Sequence, residues 1–121
     1  MADTIGPKIV LEGEKEYKQA IREINTDMRV FGSEMKKLTA EFADNSDSVE
    51  ALTKKGEVLN KQIGSQKEKV DTLRKALENS KEQYGENDTK TKNWQKALNE
   101  AEAELSNLTR EAKNNEEAIR N

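Results

Sequence analysis

Three observations predict an all-α fold of long helices, arranged as an antiparallel coiled-coil hairpin or three-helix bundle behind a short extended N-terminal arm. Large apolar residues recur at alternating gaps of three and four through most of the 121 residues. Charged residues make up 37% of the chain and aromatics 4%, too little apolar surface for a wide core but enough for a narrow seam. Turn formers interrupt the pattern inside the chain only at 44–47 and around Gly85. Such a composition also borders on disorder. The spacing decides between the two, because a 3–4 alternation sustained over more than three heptads per segment signals helices packed along one edge.

The arm is expected over residues 1–13. Gly6, Pro7 and Gly13 all disfavour helix, and the run Ile9-Val10-Leu11 lies between them. It reads either as a loosely ordered arm or as a short strand that pairs with something outside the chain. A first helix is expected over 14–43, with Glu14 and Glu16 at the positive end of its dipole. Its seam is Tyr17, Ile21, Ile24, Met28, Phe31, Met35, Leu38 and Phe42, and Asp44-Asn45-Ser46-Asp47 ends it.

Asp47 and Glu50 approximate a capping box, which places a second helix over 47–84 with its regular part starting near Ser48. Its seam runs Val49, Leu52, Gly56, Leu59, Ile63, Gln66, Val70, Leu73, Leu77, Ser80 and Tyr84, and Gly85 follows as a stop. Asn87-Asp88-Thr89 offers caps for a third helix over 88–121. There the seam is Trp94, Leu98, Ala101, Leu105, Leu108, Ala112, Asn115 and Ile119. Acid-first pairs four apart support the assignment: Glu14–Lys18, Glu50–Lys54, Glu57–Lys61 and Glu116–Arg120.

The short connector after Tyr84 folds helices two and three into an antiparallel hairpin. Facing residues then have numbers with a constant sum. A sum of 171 pairs Leu77 with Trp94, Leu73 with Leu98, Ile63 with Leu108 and Leu59 with Ala112; the heptads also permit 178. The seam grows poorer away from the turn, so the open end is expected to be looser. The first helix has two ways to cover its stripe, folding back at 44–47 onto its own hairpin or pairing with copies from other chains. Gln66 and Asn115 put amides where leucine would pack better. Either they specify register, as buried Asn does in other coiled coils, or they are partly wet at little cost, which is the expectation here. Gly56 and Gly64 either admit a close approach or are tolerated in a marginal region. Trp94, beside the turn, reads as core.

Composition narrows the function classes. The net charge of −3 comes from interleaved charges, with no concentrated basic face for nucleic acid. Without cysteine or histidine there is no disulfide framework, no thiolate and no imidazole base or ligand. No signal segment and no apolar run near 20 residues is visible, so a soluble product of a cytosol is expected. Carboxylate pairs such as Glu102 with Glu104, or Glu116 with Glu117, read as solvated faces, because catalysis needs a walled cleft. Asp44, Asp47 and Asp88 do not follow the EF-hand order, and no phosphate-cradling glycine loop occurs. No catalytic residue, metal or cofactor is expected, and an enzyme is not.

The order of segments carries a resemblance. IGPKIVLEGEKEY leads into YKQAIREINTDMRVFGSEMKKLTAEF, followed by SVEALTKKGEVLNKQI and YGENDTKTKNWQKALNEAEAEL. Together they resemble the amino-terminal region of tail tape-measure proteins of long-tailed phages and prophages of Gram-positive bacteria. The resemblance spans essentially the whole chain and rests on wording such as GEKEY, the YGEN turn and KNWQKALNEAEAEL, not on a catalytic motif. It implies a virion protein whose helical rods run along the tail lumen while the tail-tube protein polymerises around it, its length setting that of the tube. It further implies self-association, tail assembly chaperones as partners, and residence in the host cytoplasm before assembly. A ruler of 121 residues would span only about 180 Å as one helix, so a piece of a longer protein is expected. The competing reading is a cellular coiled-coil adaptor or chaperone-like hairpin that binds protein partners.

Overall fold

The computed structural model describes residues 13–121; apart from Gly13, the expected arm lies outside them. The described residues form three α-helices and no strand: α1 (Glu14–Glu41), α2 (Val49–Tyr84) and α3 (Thr89–Arg120). Each boundary has a local cause. Gly13 precedes α1 in extended conformation, and Glu14 and Glu16 occupy the first turn. At the other end Phe42 leaves helical geometry, its N–H still bonded to the Leu38 carbonyl at 3.0 Å. Two successive turns follow, Asn45 N–H to the Phe42 carbonyl and Ser48 N–H to that of Asn45. Residues 42–48 are therefore connector, and the helices stop short of the 43 and 47 expected from the sequence.

The cap of α2 is Ser48 and not Asp47: its hydroxyl oxygen accepts from the Ala51 N–H at 3.1 Å. Such a cap is worth about 1 kcal/mol. Gly85 ends α2 at a φ of 90°, a backbone conformation that a residue with a Cβ rarely adopts. Asp88 then caps α3, its carboxylate accepting from the Lys90 N–H at 2.8 Å. Four residues, 85–88, thus reverse the chain between two helices that at 1.5 Å per residue are each roughly 50 Å long.

α2 is the middle helix, antiparallel to both neighbours. Asn25 meets Lys69, Phe31 meets Lys61 and Phe42 meets Lys54, so numbers on α2 fall as those on α1 rise. Toward α3, Ser80 meets Thr91 and Gln66 meets Ala101. No Cα of α1 comes within 8 Å of any Cα of α3. The first helix therefore covers its stripe with its own chain, and it does so against α2.

A single seam on α2 cannot serve two neighbours, and α2 carries a second. Ala51, Lys55, Val58, Gln62, Ser65, Lys69, Thr72 and Ala76 repeat the 3–4 spacing in small or polar residues, and each is buried or half-buried. At 100° per residue the middle of this stripe lies roughly a third of a turn from the α3-facing side chains. That angle keeps α1 and α3 apart. Ala51, Ser65, Thr72 and Ala76 in it are short, and Lys69 reaches across to α1.

Helical glycines show how tightly each region is packed. A Cβ added at Gly64 would meet nothing within 4 Å, whereas one at Gly56 would stand 3.1 Å from Asn115 Nδ2. Gly64→Ala is therefore expected to stabilise the fold by about 0.5–1 kcal/mol and raise the melting temperature by roughly 3 °C. Gly56→Ala should gain less, since the same propensity is set against a displaced amide. Parallel thermal melts followed by circular dichroism check the difference.

Candidate interaction surface

The core is densest beside the turn. Val70, Leu73, Leu77, Leu98 and Ala101 form one buried cluster, with Ile21, Trp94, Ala97 and Leu105 packed on its edge. Leu73 is 1% exposed and is among the most completely enclosed side chains. Of the seam residues read from the sequence, Tyr17, Ile24, Leu52, Leu59, Val70, Leu73, Leu77, Leu98 and Leu108 are buried. Ile21, Met28, Phe31, Met35, Leu38, Phe42, Ile63, Trp94, Leu105 and Ile119 are half-buried. At the open end Gly56, Ala112, Asn115 and Ile119 are half-buried, while Leu52, Leu59 and Leu108 stay buried, so the seam is not uniformly looser there.

Two seam positions of α2 are instead exposed. Val49 is 62% and Tyr84 41% accessible. Both sit at helix ends, and the register puts Tyr84 opposite the turn. The Tyr84 ring finds a different neighbour, the Lys90 ammonium, at 4.3 Å from its centroid. Such an exposed cation–π contact contributes about 0.5–1 kcal/mol.

Gln66 overturns the expectation of a wet amide. It is 3% exposed, and its Nε2 donates to the Ala101 carbonyl oxygen at 3.0 Å. Asn115 does the equivalent from α3, its Nδ2 donating to the Leu52 carbonyl at 2.8 Å. Both amides reach the carbonyl one turn before the residue they face. Nearer the turn, the hydroxyls of Ser80 and Thr91 share a buried hydrogen bond of 2.8 Å. Heptad counting puts Ser80 on the seam and the sum of 171 sets it opposite Thr91, but the seam read on the third helix starts only at Trp94. The signal available was two hydroxyl residues at matching distances from the turn.

The contacts between α1 and α2 are of another kind. Lys69 Nζ donates to Asn25 Oδ1 at 2.8 Å, and Lys61 Nζ lies 3.4 Å from Glu34 Oε1 and 5.9 Å from the Phe31 ring centroid. Lys61 thus reaches across to α1 and leaves the expected partner Glu57; Glu116 and Arg120 are likewise not bridged, whereas Glu14–Lys18 and Glu50–Lys54 are, at 3.0 and 3.9 Å. Exposed pairs of this sort contribute between zero and 1 kcal/mol. Only Tyr17 and Ile24 of α1 are fully buried. Between α1 and α3 an open groove of about 470 Å³ remains, walled by Ile21, Met28, Trp94 and Glu104 over a floor of Gln66 and Leu73. Of the α1 stripe, Ile21 and Met28 face this groove.

Among the described residues no cluster of three or more acidic side chains is placed to hold a metal ion, and no helix is long and apolar enough to cross a membrane. What the geometry defines is an antiparallel helical hairpin of α2 and α3, with α1 packed along α2. Compared with known proteins, the chain matches no family model, no curated protein and no solved structure.

Proposed function

We propose that this chain is a structural helical segment of a phage tail tape-measure protein, acting in tail assembly and contributing to tail-length determination. The observation that carries the reading is the order of segments: a GEKEY entry into a long Met- and Phe-rich seam, then a hairpin reversed at YGEN with KNWQKALNEAEAEL beyond it. The fold supports it in a general way, since long helices joined edge to edge suit a scaffold built from side-chain packing. The half-covered stripe of α1 supports it further, because a segment that works as a few bundled copies needs apolar surface left over after folding. In this reading the partners are further copies, tail assembly chaperones and the tail-tube protein, and the protein resides in the virion after assembly in the host cytoplasm.

The test is made on tail particles. Induced lysates of the host strain are fractionated, intact tails are purified and their tryptic peptides identified by mass spectrometry. Peptides from this chain recovered with the tail-tube protein are the expected result. Tails that contain the tube protein and lack these peptides would sink the proposal, and recovery with a soluble cellular complex would favour the adaptor-like hairpin instead.

A further inference from the structure

Heptad spacing allows α2 and α3 to pair in more than one register, since a slip of seven in the sum of facing numbers keeps every apolar position on the seam. The structure adopts the sum of 171, as Ser80 facing Thr91 and Gly56 facing Asn115 show. We infer that these two pairs are the register lock of the hairpin, one near the turn and one at the open end.

The alternatives show why. With a sum of 178, Ser80 would face Leu98 and Asn115 would face Ile63; with 164, Thr91 would face Leu73 and Asn115 would face Val49. Each slip breaks the buried Ser80–Thr91 hydrogen bond and sets a hydroxyl against a leucine. It also removes the space that lets Asn115 reach a main-chain carbonyl, because only at Gly56 does the facing residue lack a side chain. Gln66 does not discriminate in this way. Its amide faces Leu105 in the observed register and would face Ala112 in the 178 register, and a helix carbonyl lies one turn before either. Gln66 ties the two helices together; the two pairs choose where. A buried polar group stripped of its partner disfavours a state by roughly tenfold or more in population.

The turn offers a rival explanation, since Gly85 and the Asp88 cap also suit the observed register. Cross-linking separates the two, and the chain has no cysteine of its own to interfere. Leu59→Cys with Ala112→Cys reports the sum of 171, and Leu59→Cys with Ile119→Cys reports 178. Seven residues of helix separate the two reporters on α3 by about 10 Å, beyond the reach of one disulfide. Both pairs are placed in the otherwise native chain and in a chain carrying Ser80→Ala, Thr91→Val and Asn115→Leu, then equilibrated in a glutathione buffer. In the native background only the first pair should close. In the apolar background helicity is retained, and the share of the second disulfide should rise at least about tenfold. If that chain does not fold, Asn115→Leu alone is used, with the smaller rise expected from one lost pair. An unchanged ratio in a folded variant means that the turn sets the register and overturns the inference.

Discussion

Leu73→Asp is expected to abolish the cooperative fold. Leu73 is 1% exposed, at the centre of the cluster formed with Val70, Leu77, Leu98 and Ala101. An ionised carboxylate in place of so completely enclosed a side chain loses most of its hydration, and its burial costs several kcal/mol. Removal of the leucine side chain costs a further share, since Leu→Ala changes in well-packed cores alone cost about 2–5 kcal/mol. Total stabilities are roughly 5–15 kcal/mol for domains of ordinary size. Far-UV circular dichroism should therefore show most of the helix signal lost at 25 °C. Leu105→Asp, at a half-buried position on the edge of the same cluster, should retain helix and melt at a lower temperature. Equal melting of both variants and the parent would show that the seam lies elsewhere.

Gln66→Glu should be the second most damaging change, and its cost should depend on pH. The substitution keeps the shape of the side chain but replaces the Nε2 that donates to the Ala101 carbonyl with an acceptor oxygen. In the unfolded chain the new carboxyl ionises near the ordinary glutamate value, about 4.3, and once it ionises in the folded state a charge is buried facing a carbonyl oxygen. Burial raises the carboxyl pKa in the folded state. Below the unfolded value the residue is protonated in both states, and its O–H can donate to the same carbonyl. The variant should thus approach parental stability near pH 4 and lose about 2–4 kcal/mol relative to the parent as pH rises through the folded-state pKa. Urea melts of parent and variant at pH 4 and pH 7 measure the difference of differences. Gln66→Leu, which removes both the charge and the polar group, should show no such pH dependence.

The helices were legible because each reading rested on local chemistry. The α1 stripe from Tyr17 to Phe42, the stop at Gly85 and the cap at Asp88 need only neighbours in sequence to act. Ends were less legible. Asp47 and Ser48 are both good caps, and only the path of the connector through Phe42 and Asn45 puts Ser48 where its oxygen meets the Ala51 N–H. The fully buried Gln66 and the Ser80–Thr91 pair were hidden for a related reason. Whether a polar side chain on a seam is wet depends on what faces it, and facing residues are set by a partner helix elsewhere in the chain.

From the sequence alone followed the all-helical class, three segments and the apolar edge of each, because a 3–4 repeat projects onto one helix face whatever surrounds it. Tertiary structure alone decided which neighbour each edge met. That α2 is the middle helix was hidden because a second stripe, from Ala51 to Ala76, mixes short residues with long polar ones such as Lys55, Gln62 and Lys69, and so does not read as an apolar seam although α1 packs along α2. A count of large apolar residues passes over such a stripe, since most of its members are short or polar.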